Sequence, residues 1–137
     1  MKKVLVFGTF DGLHFGHLSF FKQAKKYGNC LIVVVSRDKT VRRIKKHSPK
    51  FSEKERLRAV KGVKLVDKAE LGSVSDPYKI IKKLKPDVIC LGYDQMAFTK
   101  NLPKKIKEVG LKTKIYRLKP YQPQKYHSFL IKKHAGH

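Results

Sequence analysis

The sequence predicts a three-layer α/β domain built on a mainly parallel sheet of five strands. Short apolar runs alternate with helical patterns along the chain, and several of these runs are continuously apolar, as strands covered on both faces are. The polar motifs also fall just after the strands, where parallel sheets bind ligands. The strand-like runs lie at residues 4–7, 30–35, 63–66, 88–91 and 114–118.

The elements between them have recognisable starts and stops. Residues 17–27 place Leu18, Phe21 and Ala24 on one helical face and Lys22, Lys25 and Lys26 on the other, and Gly28-Asn29 ends the pattern. Ser52-Glu53-Lys54-Glu55 reads as a capping box opening a helix through Val60. Asp76-Pro77 opens another, whose Ile80, Ile81 and Leu84 face inward before Pro86 stops it. A short helix over residues 103–109 and a last one from about Ser128 complete the set. The stretches around Lys45, His47, Pro49 and Lys50, and over residues 119–125, read as mobile loops near a site.

A chain of 137 residues, 41% apolar, suits one packed core, so a single domain over 1–137 is expected. The 33 Lys and Arg against 10 Asp and Glu give a formal charge of +23, which favours an anionic ligand. A nucleoside triphosphate, a phosphorylated substrate, nucleic acid or counter-ions all satisfy that charge. Cys30 and Cys90 sit inside apolar runs without metal-ligand spacing, as buried thiols of a reducing compartment do. No leader pattern or run of membrane-spanning length is seen, so a soluble cytoplasmic protein away from membranes is expected.

The densest chemistry lies in Gly8-Thr9-Phe10-Asp11-Gly12-Leu13-His14-Phe15-Gly16-His17, directly after the first apolar run. Glycines there permit a sharp turn off the strand and allow backbone N–H groups to face an anion. His14 and His17 fall within one turn of each other at the start of the helix. Their imidazole N–H groups can donate to phosphate oxygens as charge moves onto a leaving pyrophosphate. A capping role for His14 and a surface position for His17 is the structural alternative.

This segment resembles the signature of the cytidylyltransferase-like nucleotidyltransferases, the group with an HxGH element. It is neither a Walker loop nor a dinucleotide GxGxxG motif. The resemblance implies a Rossmann-like fold and contact of both histidines with the triphosphate. It also implies attack by a phosphate oxygen of the second substrate on the α-phosphorus, with no covalent enzyme intermediate. Gly8, Thr9 and Phe10 would join the histidines at the nucleotide.

Ser36-Arg37-Asp38 resembles the family's S-x-D turn. Lys45 and Lys46 stand where relatives carry phosphate-binding lysines, and Arg56 resembles an arginine near the second substrate. For Lys45, Lys46 and Arg56 a solvated basic face is the alternative. Gly92-Tyr93-Asp94-Gln95 resembles the archaeal FAD synthetase branch more than the glycerol-3-phosphate cytidylyltransferase branch, and places Gly92, Tyr93 and Asp94 at the base. A strand-exit turn with Asp94 as a helix cap is the alternative there.

Ser128 keeps one hydroxyl of the family's last triplet, with Phe129 at a hydroxyl position, and Lys125 or His127 supplies charge. Asp11 is read either as helping to place a divalent cation such as Mg²⁺ or as a turn residue bonding to backbone. The implied activity is transfer of a nucleotidyl group from ATP or CTP to a phosphomonoester, foremost adenylyl transfer to FMN. A polyol-phosphate cytidylyltransferase comes second and a pantetheine-phosphate adenylyltransferase third. Family members of this size often pair, so a homodimer is expected. A basic nucleic-acid-binding protein is the competing class, but lysines spread over nearly every helix and the lack of a nucleic-acid motif count against it. A nucleotide-binding relative without turnover is a third possibility.

Overall fold

The computed structural model describes residues 1–93, 95 and 99–120. Five strands form one sheet: β1 (Lys3–Gly8), β2 (Cys30–Val35), β3 (Lys68–Leu71), β4 (Val88–Leu91) and β5 (Lys114–Arg117). Their order is β3-β2-β1-β4-β5, and every pairing is parallel. The connection order reverses beside β1, which makes the carboxyl ends of β1 and β4 the switch point of a Rossmann-like sheet.

Helices α1 (Phe15–Lys25) and α3 (Glu53–Lys61) cover one face, and α4 (Tyr78–Leu84) and α5 (Leu102–Glu108) the other. Strand alternation explains the division. Val4, Val6, Leu31 and Val33 pack with Phe21, Ala24 and Val60, whereas Leu5, Phe7, Ile32 and Val34 pack with Ile80, Ile81, Leu102 and Ile106. Both thiols are buried and free, and burial pushes the Cys90 thiol up to about 12, so it is an inert core residue. Among the described residues no helix is long and apolar enough to cross a membrane.

The capping box at Ser52 forms as its sequence predicts. The Ser52 hydroxyl accepts from the Glu55 N–H at 3.2 Å, and the Glu55 carboxylate accepts from the Ser52 N–H at 3.3 Å. Helix α1 begins two residues earlier than its apolar pattern suggests, because His14 is its cap.

Two expectations need correction. The apolar run 63–66 is not a strand. Its backbone turns, with the Val66 N–H donating to the Val63 carbonyl at 3.0 Å, and Val63, Leu65 and Val66 pack as a plug against the core. The third strand starts later, at Lys68, because Asp67 fixes the pairing. Its N–H donates to the Leu31 carbonyl at 3.0 Å, and its carboxylate accepts the Leu31 N–H at 2.7 Å and pairs with the Lys25 ammonium.

Helix α2 (Asp38–Lys45) was not expected at all. It buries only Val41, so it carries no apolar period to read. The last predicted helix lies outside the described residues.

Replacing Asp67 by Ala should cost about 1–2 kcal/mol in urea denaturation by leaving the Leu31 N–H without its acceptor, whereas Asp67→Asn, which retains one, should cost less.

Candidate active site

The strand exits open into one cavity of about 1270 Å³ along the carboxyl edge of the sheet. Gly8, Thr9, Phe10 and Asp11 border it after β1, Ser36 after β2, Gly72 and Ser73 after β3, Gly92, Tyr93 and Gln95 after β4, and Lys119 after β5. His14, Gly16 and His17 of the α1 entrance stand over its middle, and Thr40, Arg43, Ile44 and Lys45 of α2 form a side wall.

The histidines hold each other in place. As the cap of α1, His14 accepts the Gly16 N–H on Nδ1 at 3.0 Å, while the His14 N–H donates to Nδ1 of His17 at 3.3 Å. The rings stack with centroids 3.8 Å apart at 25°. Because both Nδ1 atoms accept, each neutral ring carries its proton on Nε2, leaving two N–H donors side by side. Three of the backbone N–H groups in this segment are engaged within it. Those of His14 and Gly16 serve the imidazoles, and that of His17 serves the His14 carbonyl.

Burial, followed by the fields of His14 and Lys45, pushes His17 down to about 4, so this ring is neutral at pH 7. Phe10 meets it edge-on at 5.2 Å and 75°. Phe10 has a left-handed φ of 53°, a costly state for an aromatic residue, and it turns the ring back over Gly8. A Cβ on Gly8 would lie 2.5 Å from that ring. Gly8 therefore accommodates the Phe10 ring while also bordering the cavity.

Several residues expected at the phosphates are part of the frame. Arg56 is only 1% exposed and does not line the cavity. Its guanidinium donates to the carbonyls of Phe51 (3.0 Å), Thr9 (2.9 Å) and Ser36 (2.8 Å) and to the Asp38 carboxylate (2.6 Å). Asp38 is thereby committed to Arg56 and is also absent from the cavity lining. Lys46 is an exposed left-handed cap of α2 with φ 58°, again away from the cavity, whereas Lys45 borders it.

Asp11 lines the cavity, but its two oxygens accept the Lys50 N–H at 2.7 Å and the Phe51 N–H at 2.9 Å. Burial raises its pKa, yet these two hydrogen bonds and the charges of Arg56 and Lys50 together bring it below the usual value. Among the described residues no group of three or more His, Cys, Asp or Glu is gathered as metal ligands would be. Two backbone N–H groups thus engage Asp11, as in its reading as a turn residue that bonds to backbone. Asp94, Lys125 and Ser128 lie outside the described residues.

Sequence reasoning missed the α2 wall. Arg43 and Ile44 border the cavity, and the Thr40 hydroxyl is buried there without a hydrogen-bond partner among the described residues. It also missed Arg117, which together with Gln95 of the quoted turn holds the β4 exit. The basic run of α2 was visible as charge, but its direction toward the cavity comes only from the packing of Val41.

The chain belongs to the cytidylyltransferase-like family, whose family model matches residues 5–134. It is 47% identical over 125 residues to the FAD synthase of Methanohalophilus mahii, covering 89% of this chain and 85% of that one. It is 44% identical over 128 residues to the FAD synthase of Archaeoglobus profundus, covering 92% of this chain and 80% of that one. A solved structure described as the lipopolysaccharide core biosynthesis protein from Thermoplasma volcanium superposes with a TM-score of 0.85 at 42% identity, covering 89% of this chain and 99% of that one. The chain is thus a nucleotidyltransferase with the HxGH site at its first strand exit.

Two measurements test the geometry. Arg56→Ala should lose about 3–5 kcal/mol of stability in chemical denaturation, because it unpairs a carboxylate and several carbonyls around a void. The His17 ring should titrate by NMR with a midpoint of about 4. With the folded pKa below the unfolded value, stability is retained above about pH 6.5 and declines as the pH falls toward 4. A midpoint near 6.5 would contradict the burial of that ring.

Proposed function

We propose that the protein transfers the adenylyl group of ATP to the phosphate of FMN, forming FAD and releasing pyrophosphate. The observation that carries this reading is the locked histidine pair, which sets two Nε2–H donors over a cavity large enough for two substrates. At about 1270 Å³ the space exceeds the ~300–1,000 Å³ of a pocket for one small molecule. The names of the curated relatives supply the acceptor and the base.

In this reading an oxygen of the FMN phosphate attacks the α-phosphorus while the bond to the bridging β-phosphate oxygen breaks. The Nε2–H groups of His14 and His17 donate to the phosphate oxygens on which charge accumulates, and neutrality of His17 makes it a donor that keeps its proton. The cavity arginine and lysines, Arg43, Lys45 and Lys119, provide positive field for two phosphorylated substrates. A divalent cation such as Mg²⁺ enters as part of the nucleotide substrate, held by its phosphate oxygens.

The substrates divide along the sheet edge. The base lies at Gly92 and Tyr93 beyond β4, the triphosphate at the histidines over β1, and the acceptor toward Ser36, Gly72 and Ser73. The exits of β3 and β4 are three strand spacings apart, roughly 14 Å, enough to separate a base from an acceptor ring. Diffusible phosphorylated substrates of this kind belong in the cytoplasm.

The deciding experiment measures pyrophosphate formed from each of ATP and CTP with FMN, glycerol 3-phosphate, pantetheine phosphate and a sugar phosphate. The last acceptor addresses the lipopolysaccharide description of the solved relative. ATP with FMN should give the dominant rate and FAD as product, and dominance of any other pair would overturn the assignment. His14→Ala and His17→Ala should each lower kcat about 10²–10³-fold, with much smaller changes in KM.

A further inference from the structure

The turn after β4 is held by a network that engages the main-chain groups of both Gly92 and Gln95. The Gly92 N–H donates to the Gln95 side-chain oxygen at 3.2 Å, and the Gln95 side-chain amide donates to the Phe7 carbonyl of β1 at 3.3 Å. The Gly92 carbonyl accepts the Gln95 N–H at 3.1 Å and Arg117 Nη1 at 2.7 Å. The Gln95 carbonyl accepts the same Nη1 at 2.9 Å and the Thr99 hydroxyl at 3.3 Å. Each carbonyl has two lone pairs, so both are saturated. The main chain of Gly92 and Gln95 therefore has no hydrogen-bonding capacity left with which to read a base. Between them stands Tyr93, 57% exposed at the lip of the cavity.

We infer that Arg117 is a positioning residue for the nucleotide: it pins the carbonyls of Gly92 and Gln95 from β5 so that the turn presents Tyr93 to the base. This rests on the reading that the base lies beyond β4. Arg117 is the last residue of an edge strand, opposite Leu91 of β4, and its side chain reaches from that position over the carboxyl edge. Its charge strengthens two hydrogen bonds that a neutral donor would make weakly, and its planar head spans both carbonyls from one nitrogen. Gln95 makes the matching tie to β1, so the turn is anchored to the strands on both sides of β4. The function assigned to Gly92 changes as a result: it serves the turn, and the ring of Tyr93 supplies the contact, by stacking.

The test compares Arg117→Ala and Arg117→Lys with the unaltered protein, using calorimetric titration of ATP without acceptor and steady-state FAD formation. Arg117→Ala should weaken ATP binding and raise the KM for ATP about tenfold, leaving the KM for FMN within about twofold and the melting temperature nearly unchanged. Arg117→Lys, which keeps the charge but reaches fewer acceptors, should fall between the two. Unchanged ATP affinity in Arg117→Ala, or an equal rise in both KM values, would overturn the inference. If the unaltered protein binds ATP but makes no FAD, the acceptor assignment fails. The positioning role is then decided by the ATP titration alone.

Discussion

The site depends on a buried guanidinium. Arg56 cannot lose its charge, so removing it from water is tolerable only where acceptors surround it. The fold satisfies that demand with the Thr9 carbonyl beyond β1, the Ser36 carbonyl beyond β2, the Phe51 carbonyl leading into α3 and the Asp38 carboxylate opening α2. These acceptors come from three separate segments, around residues 9, 36–38 and 51, so meeting the demand of one side chain fixes the segments relative to one another. Asp11 reinforces the arrangement by binding the Lys50 and Phe51 N–H groups, and Arg37 extends it by donating to the Gly72 carbonyl and pairing with Glu53. The cavity is the space these connections leave open.

Held in that frame, the histidine pair behaves as a single unit. The reciprocal bonds at the α1 entrance set both tautomers through Nδ1, and Phe10 closes against one ring from a backbone conformation that only a well-determined surrounding would retain. A charged imidazole would bind triphosphate more strongly in the ground state. In the proposed reaction the neutral His17 donor, held in position, gains most as charge develops, which is the difference that accelerates a reaction. Arg43, Lys45 and Lys119 place positive charge around the rim. The charge of +23 thus has a local component directed into the cavity, while most of it is spread over solvent-facing helices.

Much of the fold was legible because its signals are local. Continuous apolar runs identify β1, β2 and β4, and the capping box at Ser52 identifies the start of α3, through interactions between residues only a few positions apart. Where burial is partial the signal weakens. β3 is an edge strand reading Lys-Ala-Glu-Leu beside a more apolar plug, and α2 offers only Val41 to the core. In both cases the element is decided by a distant partner, the backbone of Leu31 for β3 and the Arg56 and Glu53 side chains for the start of α2.

The site divides along the same line. By itself the sequence determined the class of fold and the position of the histidine pair at its first strand exit, because strand periodicity and the spacing of His14 and His17 are written in consecutive residues. Only the tertiary structure decided which charged residues face the cavity and which support it. Arg56 and Asp38 turn inward to each other, Asp11 is tied to a loop 39 positions away, and Arg117 reaches back 25 positions to Gly92. A basic residue in a chain this rich in lysine has the same appearance in either role. The difference lies in the acceptors that folding brings within about 3 Å of it.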